Sequence, residues 1–206
     1  MNQILILYAT REGQARTIAE FIAARLRKSG LSSEVVNVKD LSAGFSLNNY
    51  SSAIVVASVH IGKHEPEMES FVRRNSHLLE QMRAAFVSVS LSQAGVQDGA
   101  ATQEQRDRAA ADVRRLIDTF LQRTQWRPTH VIAVAGALMY TKYNWFLRFV
   151  MTRIARRAGA STDTSRDHEF TDWAALDRAL GDFVAANNMG HAGSTEIKQT
   201  RARLEP

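Results

Sequence analysis

The residues best suited to chemistry in this sequence stand between its first apolar run and its first amphipathic stretch. Directly after Ile4 to Ala9 come Thr10, Arg11, Glu12, Gly13, Gln14, Ala15, Arg16 and Thr17. A hydroxyl residue, a glycine and a second hydroxyl residue inside a strand-to-helix turn gather side-chain donors and backbone N–H groups at the positive end of a helix dipole. That is an anion site, and a phosphate fits it best. The same residues also suit a plain turn and cap, so on local grounds both readings stand. Two more stretches follow apolar runs in the same way. They are Ser58, Val59, His60, Ile61, Gly62, Lys63 and His64, and then Ser88, Val89, Ser90, Leu91 and Ser92. In an open parallel α/β sheet the ligand lies beyond the carboxyl ends of strands where the strand order reverses, which puts weight on the loops after strands one, three and four.

What is missing narrows the ligand. No glycine-rich dinucleotide fingerprint follows the first strand and no glycine-rich loop carries a Walker lysine, so nicotinamide-binding and nucleotide-hydrolysing versions of a layered sheet are unsupported. A receiver domain needs an acidic pair after strand one and a phospho-accepting aspartate at the end of strand three. This chain has Tyr8, Ala9 and Thr10, then Ala57, Ser58 and Val59. It has no cysteine, which excludes disulfide scaffolds, thiol catalysis and cysteine-based zinc or iron–sulfur centres. No metal site is suggested. His60 and His64 stay open between contacts to a ligand ring and solvent-exposed loop positions. Flavin mononucleotide (FMN) is the reading that remains.

These loops need a frame. The runs Ile4 to Ala9, Ser33 to Val38, Ala53 to Ser58, Ala84 to Val89 and Val131 to Ala137 are mostly continuous rather than alternating, as strands buried on both faces are. Between them, Gly13 to Lys28 carries Ile18, Phe21, Ile22 and Leu26 at helical spacing. Glu65 to Met82 carries Met68, Phe71, Val72, Leu78 and Leu79, and Thr102 to Arg123 carries Val113, Leu116, Ile117, Phe120 and Leu121. A last amphipathic stretch, Asp172 to Ala186, has Thr171 or Asp172 as its N-cap. The expected fold is an α/β three-layer sandwich around a five-stranded parallel sheet of order 2-1-3-4-5. With 206 residues, 45% of them apolar and 23% charged, one domain with a continuous core is expected. It spans residues 1–187, and residues 188–206 read as a disordered tail. No targeting segment is expected, because Met1, Asn2 and Gln3 lead straight into the first strand. No run approaches the roughly 18 apolar residues of a membrane span.

A second chemical feature lies between the fifth strand and the last helix. The spacing over Tyr143 to Arg157 predicts a helix with Phe146, Val150 and Ile154 beside Leu147 and Met151 on one stripe. Trp145 and Phe149 fall on the other side, among Arg148, Arg153, Arg156 and Arg157. Aromatics interleaved with arginine suit an anionic membrane surface, or a tetrapyrrole whose propionates need cationic partners. A helix packed on the sheet with a solvated arginine face fits the same pattern. Nucleic-acid binding is not supported, since no recognised motif accompanies the arginines. Residues 119 to 162 hold seven basic residues, Arg123, Arg127, Lys142, Arg148, Arg153, Arg156 and Arg157, and no acidic one. The whole chain has 26 basic and 21 acidic residues and a net charge of +5. The charge is therefore one cationic block on a slightly acidic body.

The opening Leu7-Tyr8-Ala9-Thr10-Arg11-Glu12-Gly13-Gln14-Ala15 resembles the flavodoxin phosphate loop, T-x-T-G-x-T. The second half narrows the resemblance. Gln125-Trp126-Arg127-Pro128, Ala135-Gly136-Ala137-Leu138, Thr162-Asp163-Thr164 and Thr171-Asp172-Trp173 are similar to the menaquinone-dependent protoporphyrinogen IX dehydrogenases, a flavodoxin-like family of haem biosynthesis. The resemblance covers residues 1–187. It implies that Thr10 to Ala15 hold the FMN phosphate, with Ala15 where flavodoxins have a final threonine and Glu12 where a small hydroxyl residue is common. It further implies that Ser58 to Gly62 run along one side of the flavin ring and Ser88 to Leu91 along the other, with His60, Ile61 and Leu91 at the stacking places. The implied activity is FMN-dependent oxidation of protoporphyrinogen IX with a membrane quinone as acceptor. The implied location is cytoplasmic, peripheral to the inner face of the cell membrane, and a homo-oligomer is left open. No catalytic residue beyond the flavin is required. A flavodoxin-type carrier, an NAD(P)H-quinone reductase and a flavin-free docking protein are the other readings.

Overall fold

The computed structural model describes residues 3–138, 168–185 and 187. The expected basic helix over 143–157 and the tail over 188–206 lie outside the described residues. The sheet has six strands, one more than expected: five are parallel, β1 (Gln3–Ala9), β2 (Ser32–Asn37), β3 (Ser52–His60), β5 (Arg83–Ser90) and β6 (His130–Ala135), in the order β2-β1-β3-β5-β6, and the short β4 (Lys63–His64) pairs with β3 off this path. This is the 2-1-3-4-5 order expected for five parallel strands. The reversal falls between β1 and β3, which pair in parallel from Ile4 against Ser52 to Ala9 against Ala57.

The central runs are continuous because successive side chains feed different layers; the edge strand β2 has no buried residue and Val131 of β6 is 45% exposed, so the expected burial on both faces does not hold for these two strands. Ile4 and Ile6 enter one core with Ile18, Ile22 and Leu26 of α1 (Gln14–Lys28) and with Leu176, Leu180 and Phe183 of α5 (residues 173–185). Leu5, Leu7 and Ala9 enter the other core, with Met68, Phe71 and Val72 of α2 (Pro66–Gln81) and Phe120 of α4 (Gln103–Thr124). The helix α4 begins with a capping box: Thr102 accepts from the Gln105 backbone N–H, and Gln105 accepts from that of Thr102. Asp172 is the N-cap of α5, its Oδ1 accepting from the Ala175 N–H at 2.8 Å. Thr171 is used elsewhere.

Three short elements go beyond the expected frame. The strand β4 (Lys63–His64) folds back antiparallel on β3, pairing Val59 with His64 and His60 with Lys63. Its turn is Ile61-Gly62, with φ of 47° and 75°, the left-handed pair that a two-residue hairpin requires. The helix α3 (Leu91–Gln97) starts directly after β5, so the expected loop at Ser88 to Ser92 is strand and then helix. Finally, β7 (Ala137–Leu138) and β8 (His168–Glu169) form a separate antiparallel pair. It joins the two sequence positions from which residues 139–167 depart and return.

The packing between β5 and α4 is aromatic. Phe86 and Phe120 stack at 4.5 Å with an interplanar angle of 11°, and Trp126 meets Phe86 edge-on at 6.0 Å. Phe120 is 1% exposed, so Phe120→Ala leaves a cavity in this layer. We expect a loss of about 3–5 kcal/mol of unfolding free energy, read from the shift of the urea midpoint at constant slope.

Candidate functional site

The three stretches singled out in the sequence leave the same end of three adjacent strands. Ala9 of β1 is in register with Ala57 of β3, and Ser58 of β3 with Val89 of β5. The parallel sheet thereby gathers Thr10 to Ala15, Ser58 to Gly62 and Ser88 to Leu91 along one edge, at the reversal of strand order where α/β ligands lie.

Gly13 is the N-cap of α1 at φ 109°, a left-handed conformation that disfavours any residue with a Cβ. Thr10 Oγ1 accepts from the Gly13 N–H at 2.9 Å and closes the turn. The first intrahelical bond runs from the Thr17 N–H to the Gly13 carbonyl at 3.1 Å. The N–H groups of Gln14, Ala15 and Arg16 therefore have no acceptor inside the helix. Among the described residues no side chain caps them, and the first turn carries no acidic residue. Ala15 is fully buried, so the methyl that stands where flavodoxins carry threonine is packed into the core.

The charged and amide side chains of this loop turn to other elements. The Arg11 Nε–H lies 3.2 and 3.1 Å from the two Glu65 carboxylate oxygens, and the Glu65 side chain is only 1% exposed. The Glu65 hydrogen bond and charge raise the Arg11 pKa still higher. Glu12 Oε1 lies 3.3 Å from His60 Nδ1, so this carboxylate meets the end of β3. The Gln14 Nε2–H₂ group donates to Glu169 Oε1 at 2.9 Å and to Thr171 Oγ1 at 2.8 Å. Gln14 thus offers its backbone, not its amide, to the turn.

Along β3, the Ser58 hydroxyl donates to the Ala9 carbonyl at 3.2 Å and ties the two strand ends together. Val59 and His60 are partly buried, and Ile61 at the hairpin tip is 64% exposed. His64 turns into the core. Its Nε2 lies 2.9 Å from Ser88 Oγ, with the Phe86 and Phe120 rings at 5.3 and 5.0 Å. Ser88 and Val89 are buried, while Ser90 Oγ caps α3 by accepting from the Gln93 N–H at 3.4 Å. Leu91, half-buried, opens that helix.

Sequence reasoning missed two groups. Glu65 reads only as the residue before a helix-starting proline, and nothing local announces a partner 54 positions away. The other is the platform under β7 and β8. There the Gly136 N–H donates to the Ser90 carbonyl, the Phe170 N–H to the Gly136 carbonyl, and the Thr171 hydroxyl to the Ala135 carbonyl. The contacts that set Trp145, Arg148, Phe149, Arg153, Arg156 and Arg157 lie outside the described residues. Among the described residues no helix is long and apolar enough to cross a membrane, and no group of three or more His, Asp or Glu side chains is placed to hold a metal ion.

A parallel sheet in this order, with a glycine-led helix start at its reversal, defines a flavodoxin-like protein. The family model for the flavodoxin domain matches residues 5–165. The protoporphyrinogen IX dehydrogenase (quinone) of Escherichia coli strain K12 is 34% identical over 169 residues, covering 82% of this chain and 87% of that protein. The protein of the same name from Leishmania major is 31% identical over 182 residues, covering 88% and 74%. The chain belongs to the flavodoxin-domain family and, within it, to the family of these dehydrogenases. Among solved structures, a two-electron reduced flavodoxin from Megasphaera elsdenii aligns with 63% of this chain and 84% of its own, at 15% identity and a TM-score of 0.45.

The buried imidazole gives this edge of the sheet a pH signature. Burial pushes the His64 pKa down from 6.5 to about 4, so between those values the unfolded chain binds a proton that the folded chain does not. Stability is complete above pH 6.5 and falls as the pH drops toward 4, by at most about 1.4 kcal/mol per pH unit. Urea midpoints at pH 7 and pH 4.5 should differ by less in His64→Leu than in the parent chain.

Proposed function

We propose that this chain binds FMN at the β1–β3 edge and oxidises protoporphyrinogen IX to protoporphyrin IX, with a membrane quinone as electron acceptor. The observation that carries the reading is the uncapped start of α1. Among the described residues, three first-turn N–H groups behind a left-handed Gly13 have no acceptor, and the first turn carries no acidic side chain. Such a turn suits the dianionic end of FMN. Arg11 is paired with the buried Glu65 carboxylate and Glu12 lies beside the His60 ring, so in this reading the pull on a phosphate comes from the backbone amides and the helix dipole.

In this reading, Thr10 and Gly13 shape the phosphate turn. Ser58 to Gly62 lie on one side of the ring and Ser90 and Leu91 on the other, with Ser88 and Val89 supporting them from the core. The fit to the ring is apolar rather than aromatic: Ile61, exposed at the hairpin tip, and Leu91 supply the contact, and His60 borders it. When bound, the flavin supplies the hydride-accepting chemistry. The chain's part is to hold it against the sheet edge and leave one face open to the tetrapyrrole. Arg148, Arg153, Arg156 and Arg157, with Trp145 and Phe149, are the groups assigned to substrate propionates and to the anionic membrane surface where the quinone resides.

Purified protein mixed with FMN should keep a flavin absorption band through gel filtration. Anaerobic protoporphyrinogen IX should bleach that band, and a soluble naphthoquinone should restore it. A protein that elutes without flavin overturns the reading at its first step, and retained flavin that protoporphyrinogen leaves unbleached makes the chain an electron carrier instead. For the membrane, we expect binding to phosphatidylglycerol vesicles that weakens with salt. Replacing Arg148, Arg153, Arg156 and Arg157 together with Gln should abolish it, and unchanged vesicle binding by that variant removes the membrane assignment.

A further inference from the structure

The geometry points to Gln14 as a positioning residue that couples phosphate occupancy at α1 to the seating of the β7–β8 pair. One residue faces two sites. Its backbone N–H is among the first-turn donors that have no acceptor inside the helix, and its side chain, with the residue only 9% exposed, bonds Glu169 at 2.9 Å and Thr171 at 2.8 Å. Thr171 passes the connection on by donating to the Ala135 carbonyl at 2.8 Å, at the end of β6. The Phe170 and Gly136 N–H groups continue it through Gly136 to Ser90 at the end of β5. Glu169 is itself a β8 residue, in register with Ala137 of β7.

The physical consequence is linkage. Fixing the Gln14 backbone against an anion removes freedom that its amide would otherwise lose on bonding the β7–β8 pair, so each event lowers the cost of the other. Linkage is reciprocal, so seating the pair also strengthens the phosphate contact. The pair is anchored to the sheet through main-chain bonds at Ser90 and Gly136, and Gln14 is its side-chain tie to the helix that starts the phosphate turn. The inference rests on the reading of that turn as the flavin phosphate site and on nothing about the tetrapyrrole or the quinone.

The test uses the full chain and compares FMN with riboflavin, which has the same ring and no phosphate. In the parent protein, FMN should slow hydrogen exchange at the Gly136 and Phe170 amides about tenfold more than riboflavin does. Gln14→Leu, which keeps the bulk and removes the donor, should erase that difference. It should also weaken FMN by about tenfold while leaving riboflavin affinity unchanged. Thr171→Val, which cuts the other end of the tie, should reproduce both effects if Gln14→Leu folds poorly. Equal loss of FMN and riboflavin affinity, or FMN protection of these amides that persists in both variants, overturns the inference. Inorganic phosphate run in place of FMN separates this result from failure of the flavin reading. Protection by phosphate that depends on Gln14 sustains the coupling even in a chain that retains no flavin, and no response to phosphate or FMN overturns it.

Discussion

A carboxylate with one per cent of its side chain exposed must keep a cation beside it, and Glu65 takes that cation from the first loop. The arrangement of the sheet edge follows from this pairing. Arg11 is drawn toward the start of α2, which fixes where the loop leaves β1 and on which side Glu12 emerges. Glu12 then reaches His60 at the end of β3, and Gln14 reaches Glu169 of β8 and Thr171 just beyond it. Three near-adjacent side chains are thus tied to three separate elements, and the loop between them presents backbone. A turn held this way offers preorganised N–H groups with little left to order on binding.

The same ties explain the electrostatic division of the chain. Near the phosphate turn Arg11 is paired with Glu65 and Arg16 with Glu20, whereas residues 119 to 162 carry seven basic residues and no acidic one. Recognition of a small dianion at close range calls for directed amides. Attraction of an extended anionic surface or of flexible propionates calls for an unpaired field acting over roughly a Debye length, about 8–10 Å at physiological salt. In the proposed function the two kinds of attraction fall in different parts of the sequence.

The parallel strands and long helices were legible because burial on both faces leaves a direct mark. Ile4 and Ile6 face one core, and Leu5 and Leu7 the other, so a run that would be ambiguous alone becomes a strand once helices of period 3.6 flank it. The β4 hairpin and α3 were not legible. Ile61 is a poor choice for a left-handed turn position, and seven residues of α3 are too few to show a stripe. At the site, residue identities in the first loop pointed to an anion, but their roles did not follow from position. Arg11 and Gln14 read as phosphate ligands in a linear motif, whereas their partners lie 54 and more than 150 residues away. Only the parallel pairing of β1 with β3 and the return of the chain at β8 bring those partners near.

Ile61 stands where a hairpin of this kind favours asparagine or glycine, with φ of 47° and 64% of its surface in water. A left-handed backbone costs a residue with a Cβ roughly 1–2 kcal/mol, and an exposed isoleucine recovers nothing by burial. Substituting Asn at this position would therefore make the isolated chain more stable and its tip more polar. A consensus or stabilising redesign guided by folding alone would discard this side chain among the first, and with it the apolar contact that the proposed function assigns to the hairpin tip. Under the proposed function, thermostability screens on this protein are poorly matched to the hairpin tip, where the residue best for folding and the residue assigned to the ligand diverge.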